Sequence, residues 1–152
     1  MDVIIFIGLQ GAGKSTFFQR YFASTHAYVS KDAFRNNTRP ARRQQQLIEE
    51  ALKAGHSVVV DNTNPTVEER AHIISLAHLY HATIIGYYFE SSVQESLERN
   101  KQRIGKARVP PVAIYTTAKK LVPPSFSEGF EQIYSVRIEK DGAFTVKEWT
   151  HT

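Results

Sequence analysis

Apolar positions alternate along this chain between two periods, one of strands and one of helices. Val3 to Ile7 is an unbroken apolar run of strand length, which predicts a strand buried on both faces. Lys14 to Ala23 follows with Phe17, Phe18, Tyr21 and Phe22 at helical spacing, a stripe that either packs in a core or stacks on bases, core packing being the commoner use. Ala27 to Ser30 reads as a short strand, and a polar segment from Lys31 through Asn36, Asn37 and Pro40 leads into a helix over Ala41 to Ala54, with Gly55 as its C-terminal cap. Ser57 to Val60 is a β-branched strand closing on Asp61.

Either Asn64 with Pro65, or Thr66 with Glu69 as a capping box, starts the next helix, which carries Val67, Ala71, Ile74 and Ala77 on one face. Thr83 to Phe89 is a fourth strand, and Ser91 or Ser92 caps a helix running to about Asn100. Beyond a basic stretch to Arg108, Pro110 and Pro111 open a helix that stops before Pro123. Gln132 to Glu139 and Phe144 to Trp149 flank Asp141-Gly142, a strong hairpin signal. Strands alternating with helices give an α/β fold with a central parallel sheet covered by helices on both faces, and the last two strands add a C-terminal antiparallel hairpin. Ligands of such sheets sit beyond the carboxyl ends of the strands.

The 152 residues are expected to form one domain, 1–152, with the hairpin over about 132–149. A hydrophobic fraction of 41% and a charged fraction of 22% are those of a soluble globular protein. No apolar run approaches the roughly 20 residues of a membrane span, and Asp2 stands where a signal peptide would be basic, so the expectation is a cytoplasmic protein with no membrane partner. Cysteine is absent, which excludes disulfides and thiolate metal sites. His72, His78 and His81 share one helical segment but lack the acidic partner motif of a zinc site.

The chemistry starts at Gly8-Leu9-Gln10-Gly11-Ala12-Gly13-Lys14-Ser15, which fits the phosphate-binding pattern G-x-x-x-x-G-K-[ST] and directly follows the first strand. Chance produces such a match in only about half a per cent of chains this long. Glycines let successive backbone N–H groups turn inward around a polyphosphate. The expected nucleotide-binding set is Gly8, Gly11, Ala12, Gly13, Lys14, Ser15 and Thr16, with Lys14 on the β and γ phosphates and the Ser15 hydroxyl on Mg²⁺; Thr16 could instead support the loop or helix. ATP and Mg²⁺ are the implied cofactors of this P-loop fold.

Of four aspartates, Asp32 and Asp61 each lie just past an apolar strand, at the end of the sheet where the loop sits. Phosphoryl transfer to a hydroxyl needs a group that accepts the hydroxyl proton and a carboxylate that organises Mg²⁺ or a neighbouring base, although capping a turn or helix is the alternative use of either aspartate. The cations fall into two acid-free windows. Arg35, Arg39, Arg42 and Arg43 lie between Asp32 and Glu49, where Arg35 and Arg39 can contact phosphates of a polyanionic acceptor. Arg99, Lys101, Arg103, Lys106 and Arg108 lie between Glu98 and Glu128 and read either as a mobile lid over about 99–109 or as a solvated helix face. The net charge of +4 agrees with a polyanionic partner.

Taken with the phosphate loop, Ser30 to Arg35 (SKDAFR), Val58 to Pro65 (VVVDNTNP), Arg99 to Pro110 and Ser127 to Phe130 (SEGF) occur in an order that resembles the 5′-hydroxyl polynucleotide kinases of phage and animal end-healing enzymes, over about residues 3 to 138. The resemblance implies transfer of the γ-phosphate of ATP to 5′-hydroxyl ends of DNA or RNA. It implies Asp32 as general base, Arg35 on the acceptor phosphate, Asp61 as an acid that orders the site, and Arg103 as a lid arginine on the donor phosphates, so that Asp32, Lys14 and Arg103 are the catalytic set. It also implies that the loop from Phe126 to Phe130 lies near the adenine.

Two departures stand out. Lys31 occupies the place where the family usually has arginine, and no D-x-D-x-T phosphatase motif is present, so any end-processing phosphatase or ligase is expected on a separate chain. The rival functions are a kinase of a small hydroxylated metabolite or nucleoside, a nucleotide-gated binding module, and a kinase-like toxin. Against the module, Asn100-Lys101-Gln102 is followed by Arg103, so guanine-reading N-K-x-D is not met.

Overall fold

The computed structural model describes residues 1–34 and 38–149, apart from the side chains of Phe34 and Lys106. Six strands form one sheet: β1 (Asp2–Ile7), β2 (Ala27–Val29), β3 (Val58–Asp61), β4 (Thr83–Phe89), β5 (Gln132–Ile138) and β6 (Phe144–Glu148). Their spatial order is β2-β3-β1-β4-β5-β6, with β1 between β3 and β4, and only the last pair is antiparallel. The parallel sheet and C-terminal hairpin expected from the sequence are both present.

Side chains of β1 alternate across the sheet, as the two-residue strand period requires. Val3, Ile5 and Ile7 face the layer of α2 (Pro40–Lys53) and α3 (Val67–Leu79), packing with Ile48, Leu52, Ile73 and Ala77. Ile4 and Phe6 face α1 (Lys14–Tyr21) on the opposite side, where Phe17, Phe18 and Phe89 complete an aromatic core. The α1 stripe is therefore core, while Tyr21, at its end, is 54% exposed. Two further helices, α4 (Val93–Lys101) and α5 (Pro111–Lys120), pack on one another beside the phosphate loop.

Local chemistry sets the helix starts. Pro40 enters α2 at its first turn, so this helix begins one residue earlier than the expected Ala41, and it ends at Lys53. Between the two candidate starts of α3 the structure selects Thr66, whose side chain accepts from the Glu69 N–H at 3.2 Å. Ser92, not Ser91, makes the capping box of α4 with Glu95; the Ser91 hydroxyl pairs instead with Ser96 at 2.7 Å. At the hairpin, the Ala143 N–H donates to Asp141 Oδ1 at 3.0 Å, and Gly142 takes a left-handed φ of 84°. Among the described residues, no helix is long and apolar enough to cross a membrane.

Candidate phosphoryl-transfer site

The glycine loop leaves the carboxyl end of β1 and enters α1 at Lys14. Gly13 sits at φ 92°, and a Cβ there would overlap Ile138 of β5 and crowd the Phe144 ring. At Gly11, φ 77°, a Cβ would lie 2.9 Å from the Ser96 carbonyl oxygen. The C-terminal hairpin and α4 thus close on the loop from two sides, and only hydrogen side chains leave room for them.

Lys14 is buried, and its ammonium donates back to the loop, to Leu9 O at 2.6 Å and Gly8 O at 3.0 Å. Burial lowers its pKa to about 8, helped by the nearby Arg103 and opposed by Asp61 and Asp32. The next residue, Ser15, donates from its hydroxyl to Asp61 Oδ2 at 3.0 Å. Asp61 is the last residue of β3, paired in register with Phe6, and is 5% exposed. Its same oxygen accepts from the Tyr28 hydroxyl of β2 at 2.6 Å; burial and this carboxylate push the Tyr28 pKa up to about 12.

Asp32 lies in a single 3-10 turn, Lys31–Phe34, which the sequence showed only as a polar segment. Lys31 donates its backbone N–H to Asn62 Oδ1 at 2.9 Å, and Asn62 donates to Gln44 Oε1 of α2 at 2.6 Å. The segment after β3 also braces the phosphate loop: Gly8 N–H donates to Thr63 O at 3.0 Å, and Asn64 to Phe6 O at 2.7 Å. Asn64 is therefore a brace, held at φ 44°, and not the cap of α3.

A cavity of about 530 Å³ joins these parts. Lys14, Ser15 and Thr16 line it from the loop, Lys31 and Asp32 from the turn, Asp61 from β3, and Arg103 from beyond α4. Arg103 is held by a hydrogen bond to Ala107 O at 3.1 Å. Asn100 pins the 99–109 segment by bonding both the N–H of Val109 (3.0 Å) and its carbonyl (2.7 Å), while Arg99 donates to Gly11 O at 3.3 Å. Ala12 is buried in the aromatic core and serves the loop as packing. Arg39 stands exposed at the N-cap of α2 and is not among the cavity's lining residues. Arg35 lies outside the described residues.

The segment expected near adenine packs largely against the protein itself. Phe130 is buried in the core against Gly86, Gly129 abuts Ile74 and His78 of α3, and none of residues 126–130 lines the cavity. Apolar burial explains the Phe130 placement, and an ion pair explains Glu128. Arg70 is fully buried and meets the Glu128 carboxylate at two points, Nε at 2.8 Å and Nη2 at 3.0 Å. Its remaining nitrogen donates to Asn64 O at 3.0 Å and Val122 O at 2.9 Å, so this one guanidinium ties α3 to three loops. Tyr28, Asn62 and Arg70 carry no signature of their own in the sequence; only the DNTNP run hinted that residues after β3 had a job.

A glycine loop between a parallel strand and a helix, with a buried carboxylate on the neighbouring strand, defines the class as an α/β P-loop kinase fold, for which ATP is the implied nucleotide. The chain belongs to the AAA_33 family, described as an AAA domain, which matches residues 3–120. It is 27% identical over 140 residues to the bifunctional polynucleotide phosphatase/kinase of Schizosaccharomyces pombe, covering 89% of this chain and 33% of that protein. The chain spans about a third of the length of the curated relatives it matches. A chain in a solved Pnkp1/Rnl/Hen1 complex is 26% identical, with a TM-score of 0.57 over 64% of this chain and 38% of that one. A gluconokinase from Sinorhizobium meliloti 1021 is 19% identical, with a TM-score of 0.62 over 89% and 81% of the two chains, a likeness of fold.

Proposed function

We propose that this domain transfers the γ-phosphate of ATP to the 5′-hydroxyl end of a DNA or RNA strand. The observation that carries this reading is that Asp32 lines the same cavity as Lys14 and Ser15, with the cationic Lys31 beside it. A carboxylate facing the phosphate cradle suits a hydroxyl acceptor, and the flanking cations suit an acceptor whose next group is a phosphate. Similarity to a bifunctional polynucleotide phosphatase/kinase supports the same acceptor.

In this mechanism the 5′-oxygen is hydrogen-bonded to Asp32 and attacks the γ-phosphorus. A new P–O bond forms, the bond to the β–γ bridging oxygen breaks, and the proton passes to Asp32. Lys14 and Arg103 stabilise the charge on the transferring group, and Arg35 and Arg39 would hold acceptor phosphates. Asp61 keeps the Ser15 hydroxyl in place. Ser15 Oγ and Asp61 Oδ2, a hydroxyl and a carboxylate 3.0 Å apart, are the groups that would hold Mg²⁺. Mg²⁺ held there would supply charge neutralisation for the donor phosphates.

Fold likeness to a gluconokinase keeps a small polyol acceptor as the competing reading. Against a carboxylated acceptor, Glu69 lines the same cavity. Oligonucleotide binding separates the two: it should weaken steeply as salt rises for a polynucleotide kinase, because bound phosphates release counterions. Binding that is absent, or flat with salt, would contradict the proposal.

A further inference from the structure

A second cavity, of about 320 Å³, lies between α2 and α3 and is used by nothing in the mechanism above. Both helices start at the end of the sheet where the phosphate loop sits, so the groove runs away from the reaction cavity along the protein. The two spaces meet: Lys31 and Glu69 line both. The groove floor is aliphatic, formed by Ile48, Ile73 and Leu76, each at most 7% exposed. Its rim carries Gln45 and His72, side chains that both donate and accept, and Arg42 stands on the α2 wall.

We propose that this groove holds the base of the acceptor's 5′-terminal nucleoside. The inference rests on the polynucleotide kinase reading and extends it. With the 5′-oxygen at Asp32, the junction at Lys31 and Glu69 gives the next atoms of the acceptor a route into the groove. Glu69 on the α3 side, which faces Lys120 at 4.0 Å, disfavours a phosphate against that wall and suits the uncharged sugar and base of a 5′-hydroxyl end, while Lys31 on the other side is left for a phosphate. Beyond the sugar, Lys31 and Arg42 match the first internucleotide phosphate, and the aliphatic floor matches a flat ring whose edge meets the amide and imidazole.

Asn62 holds the two spaces in register. Its carbonyl oxygen accepts from Lys31 N–H, next to Asp32, and its amide donates to Gln44 of the groove wall, so the base seat and the proton acceptor are set by one side chain.

The test is a pair of otherwise identical 5′-hydroxyl oligonucleotides, one with a normal terminal nucleoside and one with an abasic terminal sugar, compared by kcat/KM at saturating ATP. The wild-type protein should favour the base-bearing end by roughly tenfold or more. Gln45→Trp, at an exposed position that fills the groove without entering the core, should narrow that ratio to below about threefold, and His72→Ala should reduce it in the same direction. Equal use of both ends by the wild type would overturn the groove assignment alone, as would a ratio unchanged in Gln45→Trp. If neither oligonucleotide accepts phosphate while ATP still binds, the polynucleotide reading and the groove assignment fall together.

Discussion

Ser15 and Asp61, 46 positions apart in sequence, share a 3.0 Å hydrogen bond that fixes the first turn of α1 to the end of β3. Tyr28 binds the same carboxylate oxygen from the other side at 2.6 Å. Asp61→Asn would keep the shape and remove the charge, and should lower phosphoryl transfer by roughly 100-fold or more. Tyr28→Phe should cost about tenfold and raise the Mg²⁺ concentration needed for half-maximal rate, because the carboxylate proposed to help hold Mg²⁺ loses an orienting partner. Steady-state rates titrated with Mg²⁺ check both; a Tyr28→Phe protein with unchanged Mg²⁺ dependence would mean that the tyrosine only packs.

Lys14 makes nucleotide binding depend on pH. Its pKa is near 8 because burial disfavours the ammonium, and bound polyphosphate must raise it again. Binding at pH 8 and above should therefore take up a proton, and affinity should fall as pH rises past 8, by up to about tenfold per unit until the pKa of the complex is reached. In the nucleotide-free protein the same depression has the opposite sign for folding: between pH 8 and 10.5 the unfolded chain holds more protons, so stability rises with pH there. Calorimetry in buffers of different ionisation enthalpy measures the proton uptake, and Lys14→Ala should abolish it.

Asp32 sits on an exposed turn, so its replacement disturbs little of the fold. Asp32→Ala should reduce transfer by at least about 100-fold while changing nucleotide affinity by less than about threefold. Equal loss of both would remove it from the role of proton acceptor.

Arg70 and Glu128 form a buried, two-point ion pair, and a lone buried guanidinium is costly. Glu128→Ala should destabilise the domain by about 3–5 kcal/mol, lowering Tm by about 10 °C. Thermal unfolding followed by circular dichroism reads this directly, and a drop below about 2 °C would show that water or another group replaces the carboxylate.

Much of this arrangement was readable in the chain. Val3 to Ile7 and Val58 to Val60 could be little other than buried strands, and the glycine pattern between Gly8 and Ser15 located the phosphate cradle because the backbone itself does the work there. Helix starts were ambiguous wherever two capping residues stood side by side, and tertiary contacts decided them: Asn64 was taken by Phe6 O and Ser91 by Ser96, leaving Thr66 and Ser92 as caps. The contacts that stayed hidden join distant residues of ordinary type. Tyr28 looks like any tyrosine in a short strand, Arg70 like a solvated helix residue, and Phe130 like a loop aromatic near a ligand until Gly86 opens a hole for its ring.

The proposed acceptor is a 5′-hydroxyl nucleic acid end. This is tested most directly by incubating the protein with γ-labelled ATP, Mg²⁺ and matched 5′-hydroxyl DNA and RNA oligonucleotides, with gluconate and nucleosides in parallel and Lys14→Ala as control. Label on an oligonucleotide 5′ end, lost in Lys14→Ala, is the predicted result. Label on a small hydroxylated acceptor, with neither oligonucleotide labelled, would contradict the account.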